Sequence, residues 1–245
     1  AGSMHGKRTT MEDAHLFCLP NEFNKKFSLF GVFDGHCGSQ ASKYLAENLG
    51  PKLLKDLNSI TDIKEIQDRV LKLDEEFLKN KQLDDGSTCV FALVEAKEEI
   101  IEEENNNESK KPEKKTIKFN ITVGNVGDSR CVMGKNGKSI SLTEDHKPNN
   151  KEEKDRIEKA GGFVSMNRVN GNIALSRAIG DRPFKMVETL KATEQMIISL
   201  PDIKLEEGST GDFLVLACDG IFENKVFTDE SLVKFVKERL DKKLR

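Results

Sequence analysis

No apolar stretch in the 245 residues approaches the ~20 that a membrane-spanning helix needs, and no secretory leader is visible at the start. Cysteine is sparse. The five (Cys18, Cys37, Cys89, Cys131 and Cys218) are odd in number, widely spaced and contain no Cys-x-x-Cys pair. That argues against a disulfide frame or a zinc site. It favours reduced thiols, with Cys89, Cys131 and Cys218 inside apolar strand-like runs, and so a cytoplasmic or nuclear setting. A positive excess is missing too. Lys and Arg number 39 against 42 Asp and Glu, a net charge of −3, so nothing suggests a surface built to neutralise nucleic-acid phosphates. Hydrophobic residues supply 36% and charged residues 33%, polar for a globular chain, although one central run holds much of the charge. The length suits a single large domain with a substantial core.

Periodicity gives the elements. Phe27 to Phe33 reads as a short buried strand ending in Asp34-Gly35-His36. A helix capped by Ser39 follows, with Ala41, Leu45, Leu49, Leu53 and Leu57 as its buried stripe and a kink or break expected at Pro51. Asp62 and Glu65 form a capping pair for a second helix, whose apolar face is Ile63, Ile66, Val70, Leu73 and Phe77. Strands are expected at Thr88 to Val94, along the alternating Ile117, Phe119, Ile121 and Val123, and from Arg130 to Met133. Asn136-Gly137 is a hairpin signal. Glu152 to Ala160 reads as a polar helix stopped by Gly161-Gly162. Phe213 to Cys218 is a buried strand delivering Asp219, and Glu230 to Leu240 an amphipathic helix. Glu95 to Lys115 carries seven glutamates from Glu95 to Glu108, then Asn105-Asn106-Asn107 within that run and Lys110, Lys111, Lys114 and Lys115 after it, and is expected to be a disordered or frayed extension of a hairpin.

The chemistry lies in where the carboxylates fall. Asp34 and Asp219 each end an apolar strand and are each followed by glycine. Acids at strand ends can converge, and a glycine lets a cation approach the backbone carbonyl. Glu12-Asp13 adds two more acids. Oxygen ligands of this kind suit Mg²⁺ or Mn²⁺ rather than zinc. Either Asp-Gly pair alone is more often a simple turn.

Six motifs in one order change that weighting. They are Arg8-Thr9-Thr10-Met11-Glu12-Asp13, Val32-Phe33-Asp34-Gly35-His36-Cys37-Gly38, Gly86-Ser87-Thr88, and Gly127-Asp128-Ser129-Arg130. Arg168-Val169-Asn170-Gly171 through Ser176-Arg177-Ala178-Ile179-Gly180-Asp181 and Ala217-Cys218-Asp219-Gly220-Ile221 follow. Together they resemble the type 2C (PPM) metal-dependent serine/threonine protein phosphatases, over nearly the whole chain. The resemblance implies an α+β fold of two stacked, mostly antiparallel sheets flanked by helices, a four-layer αββα sandwich. It implies one catalytic domain over residues 1–245, with a disordered insertion at about 96–115 and a flap at about 163–198. It implies hydrolysis of phosphoserine and phosphothreonine in proteins by a water activated between two Mg²⁺ or Mn²⁺ ions, and a monomer acting on phosphoproteins.

It also implies roles. Asp34 would bridge both cations, with the Gly35 carbonyl as a further ligand and Asp219 serving the other ion. Glu12 and Asp13 would act directly or through water, and Asp128 with Asp219 would hold a weaker third cation. Arg8 would bind phosphate through its planar fork, and His36 would protonate the leaving alkoxide. Thr88 reads as structural, and so does Asp145-His146-Lys147-Pro148, which matches a family motif but reads as a structural turn.

The chain departs from the family pattern in places. Phe222-Glu223 stands where tryptophan and aspartate are common, and Cys37 where glycine is common. The family's first strand and its last strands, with their closing Asp-Asn motif, have no counterpart in these residues. That last departure keeps open a catalytically weak pseudophosphatase or a phosphoprotein-binding regulatory module. Other phosphatase chemistries are excluded. No cysteine has an arginine six positions on, there is no Asp-x-Asp pair, and four histidines without a Gly-Asn-His-Glu run do not make a calcineurin-like site.

Overall fold

The computed structural model describes residues 1–21, 23–102, 114–223 and 227–242. Strands β1 (Ala14–Cys18), β2 (Phe27–Phe33) and β3 (Gly35–His36) lead to helices α1 (Gln40–Leu54) and α2 (Ile63–Phe77). Strands β4 (Gly86–Ser87), β5 (Cys89–Glu102), β6 (Lys114–Val126), β7 (Arg130–Lys135) and β8 (Lys138–Ser141) come next, then α3 (Lys151–Lys159). The short β9 (Val164–Ser165), β10 (Arg168–Val169) and β11 (Ile179–Gly180) precede β12 (Asp202–Ser209), β13 (Phe213–Ala217), α4 (Asp219–Phe222) and α5 (Asp229–Asp241). No described helix is long and apolar enough to cross a membrane.

Five strands form one antiparallel sheet in the order β1-β2-β5-β6-β12, and three form a second in the order β13-β7-β8. β5 shows how they stack. Its odd positions Cys89, Phe91 and Leu93 face a core shared with Leu45, Leu49 and Leu53 of α1 and Ile66, Val70 and Leu73 of α2. Its even positions Val90 and Ala92 face a second core with Ile121, Val123, Cys131 and Met133. A strand covered on both faces reads as an unbroken apolar run, which is why its alternation is invisible in the sequence. Beyond the second sheet, Val132 and Ala217 pack on Leu232 and Val233 of α5. Each such large aliphatic or aromatic side chain contributes about 1.5–3 kcal/mol on burial. Gly124 lies opposite Phe91 in the β5–β6 ladder, and the Phe91 ring occupies the space its missing side chain leaves.

Asp62 caps α2 as expected, accepting from Glu65 N–H at 3.0 Å, although Ile63 at the start of the stripe is exposed. The hairpin at Asn136-Gly137 has both residues at positive φ, the geometry that pair favours. Three expectations need correction. Ser39 makes no side-chain cap bond; the carboxylate of Asp85 does the capping of α1, accepting from Gln40 N–H at 2.7 Å and Ala41 N–H at 2.9 Å. Pro51 does not break α1, which runs on to Leu54. It sits in the last turn, where its carbonyl accepts from Lys55 N–H, and the buried Leu49, Leu53 and Leu54 hold that turn on the core. Residues 96–102 and 114–115 are strand rather than a disordered run. After a bulge between Ala96 and Glu99 the β5–β6 ladder resumes from Glu99↔Ile117 to Glu102↔Lys114. Backbone pairing overrides a charged composition there. The rest of the expected insertion, 103–113, lies outside the described residues.

The stretch from 163 to 198 has a small core of its own, with Val169, Leu175, Ala178 and Ile197 packed on Ile157 of α3. Its base is pinned by ions. Arg177 bonds Glu153 at 2.7 Å and Asp202 at 2.7 Å, and Lys185 bonds Asp74 at 2.7 Å with both partners buried.

Candidate metal centre

Strand register brings the acids to one end of the sheets. Asp13 immediately precedes β1, whose Ala14 pairs with Phe33, and Asp34 immediately follows Phe33. Cys89 pairs with Val126, so Thr88 and the Gly127-Asp128 turn lie at the same end. Ala217 pairs with Arg130, so Asp219 emerges beside that turn. Hydrogen bonds lock the assembly. Thr88 N–H donates to the Asp34 carbonyl at 2.9 Å and Asp34 N–H donates to Thr88 Oγ1 at 3.0 Å. Thr88 Oγ1 in turn lies 2.7 Å from Ser129 Oγ. Thr88 is therefore structural. Gly35 packs directly on the Glu12 carbonyl, which also accepts from Ser42 Oγ of α1, and a side chain at 35 would have no room.

Burial and mutual charge perturb these acids. Asp34 is pushed up to about 8, first by burial and then by the charges of Asp13, Asp219 and Asp128, with a hydrogen bond that the protonated Asp34 donates to Asp13 adding to the rise. Asp219 is pushed up to about 6 by burial, then by Asp128 and Glu223, while Lys147 and a hydrogen bond with Asp34 oppose the rise. Cys218 is pushed up to about 12 by burial and by Asp13 and Asp34, and its thiol donates to Asp13 Oδ2 at 3.6 Å. Acids that cannot all ionise together call for cations between them.

Among the described residues no three Asp, Glu, His or Cys side chains close on one point as a finished cage. Asp34 is nonetheless half-buried and within reach of the charges of Asp13, Asp219 and Asp128. Mg²⁺ and Mn²⁺ sites of this chemistry use one or two carboxylates per ion with water and carbonyl oxygens making up the rest. The all-oxygen set of Asp34, Gly35, Asp13, Asp128 and Asp219 fits them.

His36 is half-buried, and its Nε2 lies 2.9 Å from each carboxylate oxygen of Asp181. Burial alone would lower its pKa; the hydrogen bond and charge of Asp181, then Asp34 and Asp128, outweigh it and raise it. Lys147 pairs with Asp128. Burial would lower the Lys147 pKa, but Asp128, Asp145 and Asp219 raise it. Glu12 approaches the site through its carbonyl, while its carboxylate accepts from Thr10 at 3.1 Å. Arg8 sits on an exposed stretch. Its N–H donates to the His5 carbonyl at 3.0 Å, and among the described residues its side chain makes no hydrogen bond or ion pair. The structure thus gathers Asp13, Asp34, Gly35, Asp128, Asp219 and His36 and leaves Arg8 at the margin.

Sequence reasoning missed Asp181 and Lys147. Asp181 closes a motif that had been recognised without a role, and Lys147 belongs to the Asp145-His146-Lys147-Pro148 turn. The remainder of that turn is structural. His146 is buried, its Nδ1 accepting from Gly127 N–H at 3.0 Å, and Asp145 receives Arg130 at 2.7 Å and 2.9 Å.

A family model described as protein phosphatase 2C matches residues 1–245. A "Probable protein phosphatase 2C 4" of Paramecium tetraurelia is 38% identical over 249 residues, covering 98% of this chain and 77% of that protein. A probable protein phosphatase 2C of Caenorhabditis elegans is 36% identical over 98% of this chain and 62% of its own length. Among solved structures, a phosphatase from a pathogenic strain of Toxoplasma gondii superposes with a TM-score of 0.82 at 30% identity, covering 97% of this chain and 81% of that one.

Proposed function

The chain belongs to the protein phosphatase 2C family and is a protein phosphatase, and we propose that it hydrolyses phosphoserine and phosphothreonine with Mg²⁺ or Mn²⁺ as cofactor. The observation that carries the reading is the strand register that brings Asp13, Asp34, Asp128 and Asp219 to one end of the sheets, where burial and then the neighbouring acids hold Asp34 near 8. Asp34, the Gly35 carbonyl and Asp219, with Glu12 and Asp13 directly or through water, would hold two cations, and Asp128 with Asp219 a weaker third. Such ions, when bound, polarise the phosphate oxygens and make water a stronger nucleophile near neutral pH.

The remaining work falls to the chain. Arg8, four residues before Glu12 on an exposed stretch, would grip two phosphate oxygens with its fork and orient the ester. As the water oxygen bonds to phosphorus and the bond to the serine or threonine oxygen breaks, that oxygen needs a proton, and His36 would supply it. Thr88 and Ser129 keep the Asp34 and Asp128 loops in register. The substrates would be phosphoproteins, with residues 163–198 as a flap beside the site.

The test is phosphate release from a phosphothreonine peptide. Release should require Mn²⁺ or Mg²⁺, stop with a chelator and be abolished in Asp34→Asn. Tight peptide binding without release at any metal concentration would instead support a phosphoprotein-binding module and overturn the reading.

A further inference from the structure

The strands β3, β4 and β11 form a three-stranded ladder in the order β11-β4-β3, in which His36 pairs with Gly86 and Gly86 pairs with Gly180. The middle position is a glycine, and a Cβ there would collide with both His36 Nε2 and the Asp181 carboxylate. The gap at Gly86 is therefore the channel through which an imidazole on one edge meets a carboxylate on the other. Asp181 is built for that contact. It is 2% exposed, it adopts a left-handed φ of 52°, and its N–H donates to the Asp85 carbonyl at 3.0 Å. A non-glycine residue holds a left-handed backbone only where its surroundings enforce it. Gly180, just before it, has a φ of 82° and packs on the Asp85 carbonyl, while its N–H donates to Asp74 Oδ1 at 2.7 Å. Both oxygens of Asp181 then sit 2.9 Å from His36 Nε2.

We propose that Asp181 is the positioning residue of the phosphatase reaction, fixing the His36 ring so that Nε2–H is spent on the Asp181 carboxylate and Nδ1 alone faces the substrate's leaving oxygen. The inference rests on the reading of His36 as the proton donor. The Nδ1 proton passes to the departing serine or threonine oxygen as its bond to phosphorus breaks. The ring is left neutral with Nε2–H still on Asp181, water supplies the oxygen that joins phosphorus, and solvent returns the proton to Nδ1. A carboxylate behind an imidazole selects its tautomer and holds its plane, and both matter only where the leaving group needs a proton.

The experiment compares Asp181→Asn, Asp181→Ala, Gly86→Ala, His36→Ala and the double variant His36→Ala/Asp181→Ala with Mn²⁺ on a phosphoserine peptide and on p-nitrophenyl phosphate. Asp181→Ala should lower kcat on the peptide by ~10²-fold, the low end of what a general acid supplies, and barely change it on the aryl ester. The double variant should fall no further than His36→Ala alone, because the two act as one unit. Gly86→Ala, which drives ring and carboxylate apart, should show the same substrate dependence. Equal losses on both substrates, or additive losses in the double variant, would overturn the proposal. A long-range ¹⁵N spectrum of the intact wild-type chain, recorded with the ring neutral, gives an independent readout. The proton should be on Nε2, and a ring protonated at Nδ1 instead would overturn the proposal even if Asp181 variants fail to fold. If His36→Ala itself spares the ester preference while the spectrum shows Nε2–H, the proton-donor reading fails and the pairing stands.

Discussion

Asp34→Asn should abolish phosphate release yet make the metal-free protein more stable. The ordinary aspartate value is 3.8, and in the folded chain Asp34 stands at about 8. Between those values the folded state binds a proton that the unfolded state has lost. Stability therefore falls as pH rises through that window, the reverse of a salt-bridged carboxylate. A shift of about four units at about 1.4 kcal/mol each sets a ceiling of about 5 kcal/mol at pH 8 and under 2 kcal/mol at pH 5. Asp34 is only half-buried, so water screens much of this, and about 1–3 kcal/mol at pH 8 is the realistic gain on removing the charge. For a chain of this length that corresponds to a melting temperature higher by roughly 2–10 °C.

The assay is thermal unfolding of wild type and Asp34→Asn in a chelator at pH 5 and pH 8. The variant should melt above wild type at pH 8, with a smaller difference at pH 5. Adding Mn²⁺ should reverse the order at pH 8, because the cation binds the folded wild type and stabilises it by mass action. A variant no more stable than wild type at pH 8, or equally shifted at both pH values, would refute the claim that the acids around Asp34 repel it.

Other expectations concern the scaffold. Asp85→Ala should cost about 1–3 kcal/mol in urea unfolding, since two N–H groups at the start of α1 lose their acceptor. Asp74→Ala should cost about 3–5 kcal/mol by leaving the Lys185 charge buried without its partner, while Asp74→Leu with Lys185→Met should recover only part of it, because Gly180 N–H still lacks its acceptor. Glu153 is held at about 2: burial would raise it, but the hydrogen bonds and charges of Arg177 and Arg156 outweigh that. Its contribution is present above its ordinary 4.5 and is lost as pH falls toward 2, so Glu153→Gln should flatten the acid limb of the stability curve.

Elements with a strong local signal were legible in the sequence. Asp62 with Glu65 and the 66–70–73–77 stripe marked α2, Asn136-Gly137 marked the β7–β8 hairpin, and apolar runs ending in Asp-Gly marked the strands that carry Asp34 and Asp219. The unread parts depend on partners far away in the chain. β3, β4 and β11 are two residues each, too short for any periodicity, and exist because they pair with one another. His36 and Asp181 are 145 positions apart. Asp85 caps a helix that begins 45 residues earlier, a link no local pattern can show. The charged composition of residues 96–102 pointed to disorder, while the ladder with β6 made them strand.

What separates the acids of the site from the acids of the frame is what stands beside them, and composition cannot show that. Glu153 and Asp202 are surrounded by Arg177, Arg156 and His146 and are pulled down to about 2. Asp34 and Asp219 are pushed up, first by burial and then by the acids around them. Evolving a paired Glu153 costs the fold little, since its charge is satisfied within the structure. Keeping Asp34 among Asp13, Asp128 and Asp219 carries a standing penalty in the metal-free state, which Lys147 offsets only at Asp128 and Asp219. An arrangement that weakens the fold and that a single amide would relax persists only where the negative charge is used, and divalent cations are what such a charge can use.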